Sequence, residues 1–234
     1  MKNSINSTAR IGGMLYLIII ASGMFGELVL RGKLIISGNA AVTAANITAH
    51  ELLWRLGIAI DLLMHICDIP LMLIIFILLR PVNRNLAVLA LLFNIVQTAV
   101  LVANKLNLLA ALFQITGAGN LKALNSQQLY NLGYLSIKLH DYGFGLGLIF
   151  FGCACLVYGY LIYRSGYLPG ALGILIQIAG LCYLTSSFTL IIAPSIANVI
   201  SPAILLPCFI GELSLCLWLL IKGVYIAKWN ERNE

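Results

Sequence analysis

Asp61, His65 and Asp68 lie inside one apolar run, Leu53 to Leu79. Their spacing is i, i+4, i+7, so on a helix turning ~100° per residue the three side chains fall within about 60° of one another. A run of this length can cross a bilayer. A carboxylate at its centre costs roughly 2.5–3.5 kcal/mol on insertion scales, so the default reading of such residues is functional. Carboxylates and an imidazole on one stripe can carry protons, hold a cation or ligate a metal. Pro70 follows Asp68 by two positions. It removes an amide hydrogen and clashes with the carbonyl of Ile66, freeing that oxygen. A kinked helix with a loose carbonyl beside a carboxylate and a histidine reads as a proton or cation site. The alternative is that Pro70 only bends the helix to fit its neighbours.

The other polar residues in apolar surroundings extend this stripe. Asp61 is eight residues past Leu53, about 12 Å down its helix, and Asp68 is about 22 Å down, near the midplane. Glu27 stands close to the same end of the first apolar run, His140 and Asp141 open the fourth, and Glu212 is nine residues into the sixth. Five ionisable groups facing lipid separately would cost far more than five sharing partners and water. Glu27, Asp61, His140, Asp141 and Glu212 are therefore expected to converge on one outward-opening acidic pocket. Gln97 and Asn104, i and i+7 on the third run, are expected near its wall, and Arg31, Arg55 and Lys105 are basic groups at its level. Glu27–Arg31 and Glu51–Arg55 are i, i+4 and can pair along their own helices. Asp68 is the deepest acid and the candidate for exchanging a proton or a cation.

The elements that must position these groups are membrane spans. The 234 residues are 61% hydrophobic and 9% charged, where soluble domains carry about 25% charged residues. Six apolar runs can be drawn, about 11–30, 53–79, 86–113, 139–163, 170–193 and 203–226. Each reaches the ~20 residues needed to span ~30 Å of hydrocarbon, and irregular backbone cannot face lipid, so they read as helices. The first is longer than the apolar core of a signal peptide and reads as an uncleaved span. The fold class is all-α, a bundle of six transmembrane helices forming one domain over 1–234. The net charge of +6 does not indicate nucleic acid, because the basic residues sit scattered at span ends rather than in a patch with aromatics. Eight Lys and Arg flank one set of ends (Lys2, Arg10, Arg80, Arg84, Arg164, Lys222, Lys228, Arg232) and five the other (Arg31, Lys33, Arg55, Lys122, Lys138). By the positive-inside rule the protein is placed in the cell membrane with both termini cytoplasmic. The longer connections, 31–52 and 114–138, carry a short helix starting after Asn39 and a helix start near Asn125 or Ser126.

Six cysteines lie in apolar runs with no C-x-x-C and read as small packing residues. Gly143 and Gly147 form a G-x-x-x-G that lets a neighbouring helix approach closely. Gly26-Glu27-Leu28 recurs as Gly211-Glu212-Leu213, a match too short to establish an inverted repeat.

One resemblance covers nearly the whole chain. It is carried by Ala9-Arg10-Ile11-Gly12-Gly13, Gly26-Glu27-Leu28, Arg55-Leu56-Gly57 through Asp61 to Asp68, and Leu79-Arg80-Pro81-Val82-Asn83-Arg84. The run from His140 through Phe151 to Tyr163-Arg164-Ser165-Gly166-Tyr167-Leu168-Pro169, and Gly211-Glu212-Leu213, complete it. The chain resembles the domain-of-unknown-function 4386 family of prokaryotic multipass membrane proteins. The resemblance implies a six-helix prokaryotic membrane protein and supplies no activity.

Three readings of function stand open. In the first, an outward-facing polar cavity binds or transports a small solute or cation, with Asp61 and Asp68 as proton or cation carriers. Six helices leave little room for alternating access in a monomer, so a homo-oligomer would suit this reading. In the second, Asp61, His65, His140 and Asp141 hold zinc or another cation in an intramembrane enzyme. No H-E-x-x-H spacing is present, no catalytic residue can be named, and the two histidines stand at different heights, which disfavours haem. In the third, the polar groups form a network that fixes helix packing in a scaffold or sensor. No cofactor is required by any residue pattern, and the one partner the composition demands is the lipid bilayer.

Overall fold

The computed structural model describes residues 2–117 and 124–233; Ala118, Gly119, Asn120 and Lys122 of the connection considered above lie outside the described residues. Helix α1 (Lys2–Met24) runs into a π-helical segment (Phe25–Arg31) and a last turn, α2 (Gly32–Leu34). Then come α3 (Ala40–Ala49), α4 (Glu51–Leu79), α5 (Arg84–Ile115), α6 (Ser126–Ser165), α7 (Gly170–Ile192), α8 (Pro194–Ile221) and α9 (Ile226–Asn233). No strand occurs among the described residues. Among the described residues, six helices are long and apolar enough to cross a membrane.

Local chemistry explains most boundaries. The side chain of Asn39 accepts from Val42 N at 3.0 Å and starts α3, and Asn83 does the same for α5 through Leu86 N at 3.0 Å. Asn125 and Gln128 form a reciprocal capping box at the start of α6, satisfying two amides that would otherwise lack partners. Gly166 ends α6 with φ 73°, a backbone conformation open chiefly to glycine.

Two span boundaries differ from the sequence expectation. The fourth apolar run and the helix start near Asn125 are one continuous helix of 40 residues. At 1.5 Å per residue it is about 60 Å long, twice the hydrocarbon thickness, so part of α6 stands clear of it. The sixth apolar run begins earlier than expected, because α8 starts at Pro194. Proline is pre-shaped for a first helical turn.

Helices α1, α4, α5, α6, α7 and α8 pack as neighbours in that order, and α8 returns to α1. The result is a closed ring, with α3 lying over one end against α6, α5 and α4. Two apolar layers plug the ring. The larger takes Leu71–Leu79 of α4, Ala87 and Ala90 of α5, and Ala154–Ile162 of α6. The smaller, under α3, takes Trp54 and Ile58 of α4, Leu108–Ile115 of α5 and Ile137 of α6. Between the layers, residues 61–68 of α4, 94–105 of α5 and 140–148 of α6 are left to line polar space.

The α6–α7 seam is backbone to backbone. A Cβ on Gly159 would stand 2.5 Å from the Gly173 carbonyl oxygen, and one on Gly173 would stand 2.5 Å from that of Gly159. Gly152 and Gly180 repeat the arrangement at 2.9 and 2.7 Å. Gly143 and Gly147 do admit a neighbour, as the G-x-x-x-G spacing suggested: they receive Asn104 and Leu101 of α5. Gly159→Leu is expected to lower stability by about 1–3 kcal/mol or more, since neither backbone can yield. A lowered melting temperature in detergent checks this; an unchanged one would mean that the seam does not hold these helices together.

Candidate functional site

Asp61 and His65 are buried on the inner face of α4, and Asp68 is half-buried beside them. Ile66 and Pro70 are exposed on the opposite side of the same helix. Pro70 thus sits within α4 with its ring turned away from the two carboxylates. The stripe itself is divided between two chambers.

The rim chamber, about 500 Å³, is lined by Glu27, Arg31, Asp61, Lys105, His140 and Asp141 among others. Asp61 is 1% exposed and its Oδ2 accepts from Arg31 Nη1 and from Lys105 Nζ, each at 2.7 Å. Arg31 also donates from Nε to Glu27 at 2.8 Å, so the expected i, i+4 pair exists. The π-helical segment carries both. Its wider turn and the absence of a Cβ at Gly26 give room for the guanidinium against Asp61. Lys105 Nζ lies 3.4 Å from His140 Nε2. Asn104 Nδ2 donates to the His140 carbonyl oxygen at 2.8 Å. Asp141 is exposed at the rim and pairs with Lys138 at 3.2 Å.

The three acids of this chamber are all paired. Asp61 holds Arg31 and Lys105 on the buried floor, Glu27 is exposed and shares Arg31, and Asp141 is exposed and pairs with Lys138. Arg55 is not part of it: it pairs with Glu51 at 2.7 Å on an exposed face. Six residues separate Arg55 from Asp61, which puts their side chains about 120° apart on the helix.

The inner chamber, about 160 Å³, is lined by His65, Asp68, Asn94, Gln97, Tyr16 and Glu212 with apolar neighbours. His65 Nδ1 and Asp68 Oδ2 are 2.9 Å apart, and Thr98 Oγ1 is 3.5 Å from the same oxygen. Tyr183 donates to Glu212 Oε1, and Tyr16 approaches the same carboxyl group. Glu212 thus belongs with Asp68, not with the rim chamber. The earlier start of α8 puts it eighteen residues from Pro194, about 27 Å along the helix. Gln97 likewise lines the inner chamber rather than the rim, and Asn104 is spent on the His140 carbonyl. The repeated Gly-Glu-Leu serves two unlike places, since Glu27 is 68% exposed in side chain and Glu212 is enclosed.

Met64, Phe144 and Leu148 line both chambers and form the septum between them. The sequence reading missed this septum, the tyrosines around Glu212, and Ser187, a residue of the rim chamber whose buried Oγ has no hydrogen-bond partner among the described residues. Tyrosines placed mid-span were a usable signal, because a buried hydroxyl needs a polar partner. The four metal candidates do not meet. Asp61 is held by its two cations, His65 by Asp68, and among the described residues no three His, Cys, Asp or Glu converge to hold a metal.

An all-helical ring of bilayer-length apolar helices with polar chambers inside is a multipass membrane protein. The chain belongs to the family described as Domain of unknown function (DUF4386), whose profile matches residues 11–223. It is similar to an "Uncharacterized protein" of Archaeoglobus fulgidus, 32% identical over 158 residues, which covers 68% of this chain and 78% of that protein. No solved structure matches the chain.

Proposed function

We propose that this is a cell-membrane protein, both termini cytoplasmic, that binds a small solute in the rim chamber and moves it together with a proton or small cation handled by Asp68 and Glu212. The observation that carries this reading is the placement of two polar chambers inside one helical ring, with Met64, Phe144 and Leu148 lining both. No lysine or arginine lines the inner chamber among the described residues. Charge on Asp68 and Glu212 must then be balanced by His65, a proton or a cation, because an uncompensated buried charge is too costly to keep. Polar groups that served packing alone would not need a cavity around them.

The test is flux. Protein in liposomes loaded with a pH-sensitive dye is challenged in turn with small cations, neutral solutes and anions at varied external pH. One class is expected to move the internal pH. Asp68→Asn, which keeps shape and hydrogen bonding but cannot ionise, is expected to fold normally and lose that pH-dependent movement. Full activity in this variant would make Asp68 structural. No flux with any class would leave the scaffold reading.

A further inference from the structure

We propose that the rim chamber takes an anionic group, a carboxylate or phosphate carried on a small apolar body. This rests on reading the rim chamber as the solute site, and names the class of solute. Three observations converge. First, the buried floor holds a cation with a donor to spare: Arg31 is shared between Asp61 and Glu27, whereas Lys105 has Asp61, at 2.7 Å, as its one carboxylate partner among the described residues. A Lys ammonium has three donor protons. One points to Asp61 and one can reach His140 Nε2 at 3.4 Å, which leaves one for a ligand.

Second, Ser187 is 2% exposed, its Oγ has no hydrogen-bond partner among the described residues, and the residue lines this same chamber. A buried hydroxyl left unpaired costs about 1–3 kcal/mol, so it marks a place where a ligand atom completes the bonding. Third, Phe144, Leu148, Leu190 and Leu205 line the rest of the chamber, a wall suited to hydrocarbon rather than to a hydrated inorganic ion. The acids near the mouth do not reverse this. Glu27 is exposed and spent on Arg31, and Asp141 is exposed and spent on Lys138, so their fields are weakened by solvent, whereas the buried Lys105 acts at short range in a medium that screens poorly.

The experiment measures thermal stabilisation of the full-length protein in phosphatidylcholine nanodiscs. The probes are benzoate, phenyl phosphate, benzyl alcohol and benzylamine. Benzoate or phenyl phosphate is expected to raise the melting temperature saturably, and benzyl alcohol and benzylamine are not. Lys105→Gln is expected to weaken the anion response by about tenfold or more, the order of a lost charged hydrogen bond. Should that variant fail to fold, Ser187→Ala removes only one hydroxyl and is expected to weaken the same response. Repeating the titration in phosphatidylglycerol nanodiscs identifies the source. A response that vanishes there means that an acidic lipid headgroup fills the chamber; one that persists means a water-soluble anion.

The proposal is overturned if neither anion stabilises the protein in phosphatidylcholine, if benzylamine does so equally, or if a folded variant keeps wild-type affinity. Flux without anion binding would remove this inference and leave transport. Anion binding without flux would remove transport and leave this inference.

Discussion

Asp61→Leu will destabilise the protein by about 3–5 kcal/mol, the cost of leaving a buried charge without its partner. The reason lies in the arithmetic of charge at that point. Asp61 is 1% exposed and is the shared anion of Arg31 and Lys105. Removing it leaves two buried cations facing each other, with only Glu27, at the exposed end of Arg31, to offset one of them. Removing one cation instead is milder, because the other still holds the carboxylate. The contrast is the diagnostic: Asp61→Leu should lower the melting temperature in detergent far more than Lys105→Gln. Replacing Arg31, Asp61 and Lys105 together by apolar residues of similar volume should recover most of the loss, as buried ion clusters commonly tolerate. If Asp61→Leu melts like the parent protein, water reaches the cluster freely and the rim chamber is not a low-dielectric site.

Glu212→Gln will lower coupled flux by at least about tenfold, the effect of 1.4 kcal/mol on a barrier, while leaving the fold at least as stable. A glutamine keeps the hydrogen bond from Tyr183 and removes a charge that no lysine or arginine of the inner chamber balances. Stability and activity then move in opposite directions, as they do where a strained group is kept for function. Tyr183→Phe supplies the control. It removes one hydroxyl and is expected to cost about 1 kcal/mol of stability while retaining flux. Measured by dye-loaded liposomes and by thermal melting, the two variants should cross. A Glu212→Gln protein that transports normally would confine the proton or cation to Asp68 and His65.

Much of the fold was legible because bilayer length and apolarity leave few choices. Six runs of sufficient length demanded six helices, and Asn39 and Asn125 marked their helix starts by side chains suited to capping. What escaped has physical causes. The π-helical turn at Phe25–Arg31 depends on which carbonyl each amide selects, and no residue type dictates that. The start of α8 lies in a stretch of Pro, Ser and Asn that reads as a loop. Yet it is helical, and this displaced Glu212 by half a span. Arg55 was grouped with the pocket by its level along the helix, although helical phase turns it away from Asp61. Lys105 was seen as a basic group at the right level, but its pairing with Asp61, 44 positions away in sequence, is tertiary information. The candidate site was therefore legible as a set of polar residues and not as two chambers.

The glycine contacts between α6 and α7 have a mechanical consequence. With no side chains between the two backbones, these helices can only travel together, and α5, seated on Gly143 and Gly147, travels with them. Helix α4 meets α5 along a shorter seam and packs closely on α1. Helix α1 is seated just as closely on α8, where a Cβ on Gly13 would stand 2.4 Å from Leu220 N, so the ring is thinnest at the α4–α5 seam. Met64 is carried by α4, and Phe144 and Leu148 by α6, so opening the α4–α5 seam would widen the septum. The Asp61–Lys105 ion pair crosses the same seam near one end, and Trp54 Nε1, bonded to the Leu108 carbonyl oxygen at 3.1 Å, crosses it further out. Asp61–Lys105 and Trp54–Leu108 are accordingly the two polar clasps of that seam, and an anion that drew Lys105 toward itself would loosen one of them.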